Sequence, residues 1–256
     1  MLPSGIGTMN KTNLFFFILF FGATSVFAQK GLTTMGIQLK PMVPSQFFGT
    51  GPVRQLYEHT DALLENQLGW NSGVVIRRGL NNMWSLETGI SMVQRNYKVS
   101  FESLRFGFSE SMTYRLVGYE IPIQALIYVQ LGKQWFMNGS GGMALNFYPS
   151  NLEKFGSTVV DTTFIDYHVK TYRNNWMMPS VLANLGFEYR TAKSGFFYVG
   201  ASYHRPLSEI ALSNLRVESN GSGDDTPFFL NGTYLTLDLR YFLPESSNDK
   251  NKKKGT

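Results

Sequence analysis

Apolar and polar residues alternate with a period of two along most of this chain. The clearest run covers residues 114–131. Val117, Tyr119, Ile121, Ile123, Ala125, Ile127, Val129 and Leu131 form one series, and Gly118, Glu120, Gln124, Tyr128 and Gln130 the other. Successive side chains of a strand point to opposite faces, so the run predicts a strand with one apolar face. It is long beside the roughly 5–6 residues of an ordinary soluble strand. The same alternation sets Met35, Ile37 and Leu39 against Thr34, Gln38 and Lys40. It sets Val74 and Ile76 against Asn71, Gly73 and Arg77, and Trp84, Leu86, Ile90 and Met92 against Ser85, Glu87, Gly89 and Ser91. Farther on, Met143, Leu145 and Phe147 oppose Asn138, Ser140, Gly142 and Asn146, and Val181, Leu185, Phe187 and Tyr189 oppose Ser180, Asn184, Glu188 and Arg190. Phe197, Val199, Ala201 and Tyr203 then oppose Tyr198, Gly200, Ser202 and His204, and Leu235, Leu237, Leu239 and Tyr241 oppose Thr236, Asp238, Arg240 and Phe242.

Short and long connections alternate between these strands. Short turns rich in Gly, Asn or Lys fall at 79–83, 131–134 and 191–195, as hairpins require. Long links fall at 44–67, 101–112, 150–175 and 207–227, and links of that length are unusual inside a compact soluble domain. The pattern predicts an all-β fold, an eight-stranded antiparallel up-and-down transmembrane β-barrel with short turns at one end and long loops at the other. An even strand count brings both termini to the short-turn side, expected to be periplasmic, with the four long loops outside. Pro122 removes a ladder donor inside a strand, which predicts a bulge there.

Alternation alone does not separate a membrane barrel from a soluble, lipocalin-like one. Three features favour the membrane. The polar series carries charges of both signs at depth: Lys40, Arg77, Glu87, Glu120, Glu188, Asp238 and Arg240. These are expected to pair across a narrow lumen, which in an eight-stranded barrel is largely filled by side chains. Aromatic residues cluster near strand ends, with Trp84, Trp135, Tyr189, Phe197 and Tyr241 at the short-turn end. Trp70, Tyr97, Tyr119, Tyr148, Trp176 and Tyr203 mark the other end, which predicts two interfacial belts. Strand length also suits a tilted crossing of about 9–11 residues.

The N-terminal stretch reads differently. Lys11 precedes an uncharged apolar run from Leu14 to Phe21, and Val26-Phe27-Ala28 offers a small-residue cleavage site. This is the order of a secretory signal peptide, so residues 1–28 are expected to be cleaved, with an uncleaved anchor as the alternative and Met9 as a possible initiator. The barrel is assigned to residues 29–244. Residues 245–256, with Lys250, Lys252, Lys253 and Lys254, form a basic tail without an apolar face, expected to be disordered. The net charge of +5 is partly this tail, which argues against nucleic acid as a partner of an exported chain. The chain has no cysteine, so disulfides and a lipidated cysteine anchor are excluded. It is 15% aromatic and 16% charged, against roughly 25% charge in a soluble domain.

Chemistry is thin. His59, His168 and His204 are the only histidines. Asp166 with His168, and Ser202 with His204, share strand faces, but no local motif supplies nucleophile, base and orienting group together. Asp224-Asp225 lacks the spaced oxygen ligands of a calcium loop. Asn138-Gly139-Ser140-Gly141-Gly142 lacks the Lys-Ser/Thr of a phosphate loop, and its glycines suit lumen packing. The expectation is a non-enzyme with no cofactor and no metal.

Tyr119-Glu120-Ile121-Pro122-Ile123-Gln124-Ala125-Leu126-Ile127-Tyr128 resembles the most characteristic strand of the PorT-like outer-membrane β-barrel family of Bacteroidota. The segments 85–95, 184–190 and 235–242 are similar to other strands of that family. The resemblance spans most of the chain after residue 28, although this chain continues past its last strand into a charged tail. It implies an integral outer-membrane protein without assigned activity, a few relatives of which assist secretion. The reading is therefore an envelope protein of the cell outer membrane, in contact with outer-membrane lipid, with a structural or interaction role through its loops. The alternatives are an accessory for secretion or envelope assembly that contacts envelope or secretion proteins, and a narrow pore or small-ligand barrel.

Overall fold

The computed structural model describes residues 33–43, 51–81, 83–191 and 193–244. The expected signal peptide at 1–28 and basic tail at 245–256 lie outside the described residues. The chain forms β1 (Thr33–Val43), β2 (Val53–Tyr57), β3 (Thr60–Gly79), β4 (Trp84–Ser103), β5 (Phe108–Gln130), β6 (Trp135–Phe147) and β7 (Leu152–Val160). It continues through β8 (Thr163–Arg173), β9 (Met177–Arg190), β10 (Phe196–Pro206), β11 (Ala211–Ser219), β12 (Ser222–Leu230) and β13 (Tyr234–Phe242). Eight of them, β1, β3, β4, β5, β6, β9, β10 and β13, pair antiparallel in chain order. The ring closes because β1 pairs with β13 on one side and β3 on the other. A closed ring leaves no strand edge, which is the condition for a sheet in hydrocarbon. The short turns fall where the alternation predicts them, after Gly79, Gln130 and Arg190.

The direction of the two faces identifies the solvent. Ile37 is 63% exposed, Ile123 59% and Leu185 60%, while Lys40, Arg77, Glu87, Glu120, Glu188 and Asp238 are buried. A water-soluble barrel would have the opposite arrangement. Here the apolar series faces outward and the polar series inward, as lipid requires.

This arrangement inverts part of the way up the ring. On β4 the outward residues Leu86, Ile90 and Met92 give way to Gln94, Asn96, Lys98 and Ser100, while the inward series becomes Val93, Tyr97, Val99 and Phe101. On β5 the outward Ile123 and Tyr119 give way to Arg115 and Thr113, while Leu116, Tyr114 and Met112 turn inward. Above the inversion the wall is polar outside and apolar inside, like any protein in water.

The apolar inner wall is covered by a second sheet of four strands in the order β12-β11-β8-β7. The expectation of four long loops is therefore corrected. The links at 150–175 and 207–227 fold into the hairpins β7–β8 and β11–β12. The link at 101–112 shrinks to residues 104–107 as β4 and β5 extend, and the first link pairs β2 with the top of β3. The cause is burial: Ile165 and Val169 of β8, Leu215 and Val217 of β11 and Phe228 of β12 pack on Val99, Phe101 and Tyr114 in one core. At about 25 cal/mol per Å² of apolar surface, such a core holds segments that would be mobile alone. Together these elements make an ordered β cap on one end of the barrel.

Two further expectations change. No bulge forms at Pro122: Thr88↔Ile123 and Ser91↔Glu120 keep one register across it. Pairing lapses only opposite Gly89 and Ile90, and the Thr88 hydroxyl donates to the Pro122 carbonyl at 2.8 Å. The irregularity lies instead on β3 between Gln67 and Trp70, where Leu68 and Gly69 oppose Arg95 alone. The extra residue re-phases β3, so that Asn71 and Arg77 face inward below it, and Ala62 and Leu64 above it. Among the aromatics, Trp84, Trp135, Phe197, Trp70, Tyr119 and Trp176 are exposed on the outer wall, and the pairs Trp135–Tyr189 and Phe197–Tyr241 touch at the short-turn end. Tyr97 and Tyr148 do not belong to a belt. Both are buried inside, Tyr97 stacked on Tyr114 at 5.4 Å, because they stand above the inversion on inward positions.

Candidate functional site in the barrel interior

Every residue of the charged set read from the polar series is inside the barrel. All of them except Glu120 join one chain of alternating charge. At the short-turn end Arg190 donates to Glu188 at 2.6 Å. Glu188 also accepts from Arg77, and Arg77 reaches Glu87 at 2.9 Å. Glu87 accepts from Arg240, Arg240 donates to Asp238 at 2.6 Å, and Asp238 faces Lys40 at 3.5 Å. No carboxylate in this chain has to hold a buried charge without a cation beside it, which is the condition for burying ions at tolerable cost. The Asp238 oxygen that meets Arg240 and Lys40 also accepts from Ser202 at 2.6 Å and Asn184 at 3.1 Å, and its other oxygen accepts from Thr236 at 2.6 Å.

Aromatic rings fill the space between the ions. The Arg77 guanidinium lies 4.0 Å from the Phe242 ring centre, and that of Arg190 lies 3.9 Å from Phe136. Stacking of this kind lets a planar guanidinium be buried without a full set of acceptors. Glycine is needed where strands approach: a Cβ on Gly200 would meet the Tyr198 hydroxyl and the Leu185 carbonyl oxygen.

Glu120 belongs to a separate group higher in the lumen. It accepts from the Tyr234 hydroxyl at 2.9 Å and contacts His204 Nδ1 at 3.2 Å, and the His204 ring stacks on Tyr234 at 4.4 Å. Asn71 donates to the same tyrosine oxygen at 3.3 Å. Above them Arg95 is held between the rings of Tyr234, at 4.9 Å, and Tyr148, at 5.8 Å, with no acceptor among the described residues on its guanidinium nitrogens. The apolar core of the cap begins there.

Arg190, Arg95, His204 and Tyr234 are thus parts of the interior that the charged set omits. Arg190 and His204 stand on the polar series, so their parity was a usable signal. Arg95 stands among apolar inward residues and gives no such signal. The pairs weighed for catalysis do not meet. The Ser202 hydroxyl is used by Asp238 and Asn184 rather than His204, and the His168 ring packs on Phe155 at 5.5 Å. Asp224 is engaged by Arg105 at 3.2 Å. Among the described residues, no group of three or more acidic, histidine or cysteine side chains has the placement to hold a metal ion.

An outward apolar face, an inward charged face and a closed antiparallel ring are what a barrel of the outer membrane needs. Residues 45–211, well over half of the chain, match the family described as "Outer membrane protein beta-barrel domain". The chain belongs to this family. It is an all-β outer-membrane barrel with an eight-stranded ring. No curated protein matches it. Among solved structures, it is similar to the outer membrane protein OprG from Pseudomonas aeruginosa at 11% identity and a TM-score of 0.49, covering 85% of this chain and 98% of that one. It is also similar, at 10% identity and a TM-score of 0.20, to the beta domain of the Bordetella autotransporter Brka, covering 83% and 99%.

Proposed function

We propose that this outer-membrane barrel is a plugged platform that presents its β cap outside the cell as a surface for partners of the envelope. One observation carries the reading. The axis of the ring is filled from end to end, first by the ion chain from Arg190 to Lys40, then by the Glu120–His204–Tyr234 group, then by the apolar core of the cap. Among the described residues, nothing in that interior suits a solute path, whereas an ordered cap extends the molecule beyond the lipid. In this reading both ends of the chain and the short turns are periplasmic, and export uses the signal peptide at 1–28 with cleavage after Ala28. Purified protein in a planar bilayer should give no unitary conductance steps. Defined steps in the wild type would refute the platform and favour the narrow pore. Protease added to intact cells should cut the cap, and protection of the cap there would refute the orientation.

A second reading is an accessory role in secretion or envelope assembly. The resemblance of 119–128 to the PorT-like barrels of Bacteroidota supports it, because some of those relatives assist secretion. Crosslinking in cells followed by co-purification separates the two: secretion components recovered through the barrel would favour the accessory role.

A further inference from the structure

The outer wall carries a groove of about 690 Å³ immediately above the point where its lipid-facing residues end. Gln67, Gln94, Asn96, Thr113 and Arg115 line it on β3, β4 and β5, and Lys154 of β7 faces them across it. The groove exists because β6 leaves β5 at Tyr119↔Phe147. Above that point β5 has β4 on one side and an open space on the other. From the position and chemistry of this groove, we propose that it binds the phosphorylated sugar head group of an outer-leaflet lipid.

Three observations support this. The first is depth. Met92 and Val117 are the last outward apolar residues of β4 and β5, with Met92 and Tyr119 paired directly below the groove and Val117 in its lining, so the groove is continuous with the lipid-facing band at head-group height. The second is charge. Arg115 and Lys154 are exposed on facing walls and make no ion pair among the described residues, while the one acid of the groove, Glu153, is taken by Lys170 at 2.7 Å. Guanidinium binds phosphate through paired N–H groups and ammonium binds it as a point charge. The third is a prepared floor. Gln94 donates to Asn96 at 3.1 Å, and Asn96 donates to the Leu68 carbonyl at 2.7 Å, on the β3 bulge. These side chains are fixed beforehand, and with Gln67 and Thr113 they present a polar floor to sugar hydroxyls. Val117 and Leu152 add apolar lining where an acyl chain would descend.

The leaflet named in this inference rests on the orientation proposed above, which surface proteolysis tests separately. Binding in micelles does not depend on that orientation, so the two can fail independently. The test is native mass spectrometry of the folded protein in detergent, titrated with bis-phosphorylated lipid A, with the same lipid stripped of phosphate, with phosphatidylglycerol and with inorganic phosphate. Lipid A should be retained at least about tenfold better than the stripped form, and the double variant R115Q/K154Q should lose about tenfold in affinity. Replacing the exposed cations Arg78 and Lys193 at the other end, as R78Q/K193Q, should change nothing. Heat-modifiable gel migration shows that each variant is folded. Equal retention of the stripped lipid or of phosphatidylglycerol, full binding by R115Q/K154Q, or displacement of lipid A by equimolar inorganic phosphate would each overturn the proposal.

Discussion

Replacing Glu87 by glutamine asks whether the lumen is dry. Glu87 is the hinge of the ion chain: one carboxylate oxygen accepts from Arg77 at 2.9 and 3.1 Å, and the other from Arg240 and, at 3.4 Å, from Gln124. Glutamine keeps the shape and one acceptor but removes the charge between two buried guanidinium groups. Breaking a buried ion pair from one side costs about 3–5 kcal/mol. Each arginine keeps another carboxylate, Glu188 for Arg77 and Asp238 for Arg240, so the expected loss is at the low end, about 3 kcal/mol. In a water-filled lumen the same charge at contact distance is worth only about 1 kcal/mol. Urea unfolding in detergent micelles, followed by tryptophan fluorescence and by gel migration, distinguishes the two. With a denaturant slope of roughly 2 kcal/mol per molar, the E87Q midpoint should fall by about 1.5 M. E102Q, at an exposed site near the top of β4, should stay within about 0.5 kcal/mol of wild type. A loss of about 1 kcal/mol or less for E87Q would mean that water screens the network, and the plugged interior would be wrong.

Three other outcomes follow from the same geometry. An arginine at Leu185, 60% exposed within the lipid band, should cost about 2–4 kcal/mol in folding from urea into bilayers, while one at Ser100, outward but above the inversion, should cost almost nothing. Equal costs would put the membrane boundary elsewhere. Leu215→Ala opens a cavity in the cap core and should cost about 2–5 kcal/mol locally. The cap should then be cut readily by protease while the ring keeps its heat-modifiable migration. Burial holds the His168 imidazole below its usual range, so the proton prefers the unfolded cap. Cap stability should therefore fall as pH drops through about 6.5, and limited proteolysis at pH 5 and 8 should differ for wild type but not for H168Q.

The ring was legible because lipid imposes the plainest of sequence patterns. Lys40, Arg77, Glu87, Glu188, Asp238 and Arg240 share a parity opposite to their apolar neighbours, so their common face could be read directly. Their order along the charge chain could not. Glu188 meets Arg77 across 111 positions, and that contact depends on ring closure and strand tilt. The cap was missed for a different reason. Ile165, Tyr167, Val169 and Thr171, and then Ala211, Ser213, Leu215 and Val217, alternate as regularly as barrel strands, but they lie inside segments read as links. One strong signal was present: Asn220-Gly221, both at positive φ (49° and 77°), make the tight turn between β11 and β12. Asp161 and Thr162, at φ of 46° and 69°, turn β7 into β8 without that signature.

The boundary between ring and cap is also written in the sequence, as a change of parity. In β4 the apolar residues occupy even positions at Leu86, Ile90 and Met92, then odd ones at Val93, Tyr97, Val99 and Phe101. In β5 they run on odd positions from Val129 back to Val117, then on even ones at Leu116, Tyr114 and Met112. Neither strand bulges there, so the backbone keeps its faces while the solvent outside changes from lipid to water. Read alone, such a switch resembles a register slip, which moves every side chain to the other face. Two neighbouring strands switching at paired positions, Gln94↔Val117, cannot be explained by a slip in one of them. A paired parity switch therefore marks the depth at which a barrel leaves the membrane. It also fixes Arg115 just outside the lipid, where an unpaired cation costs little and can meet a charged head group.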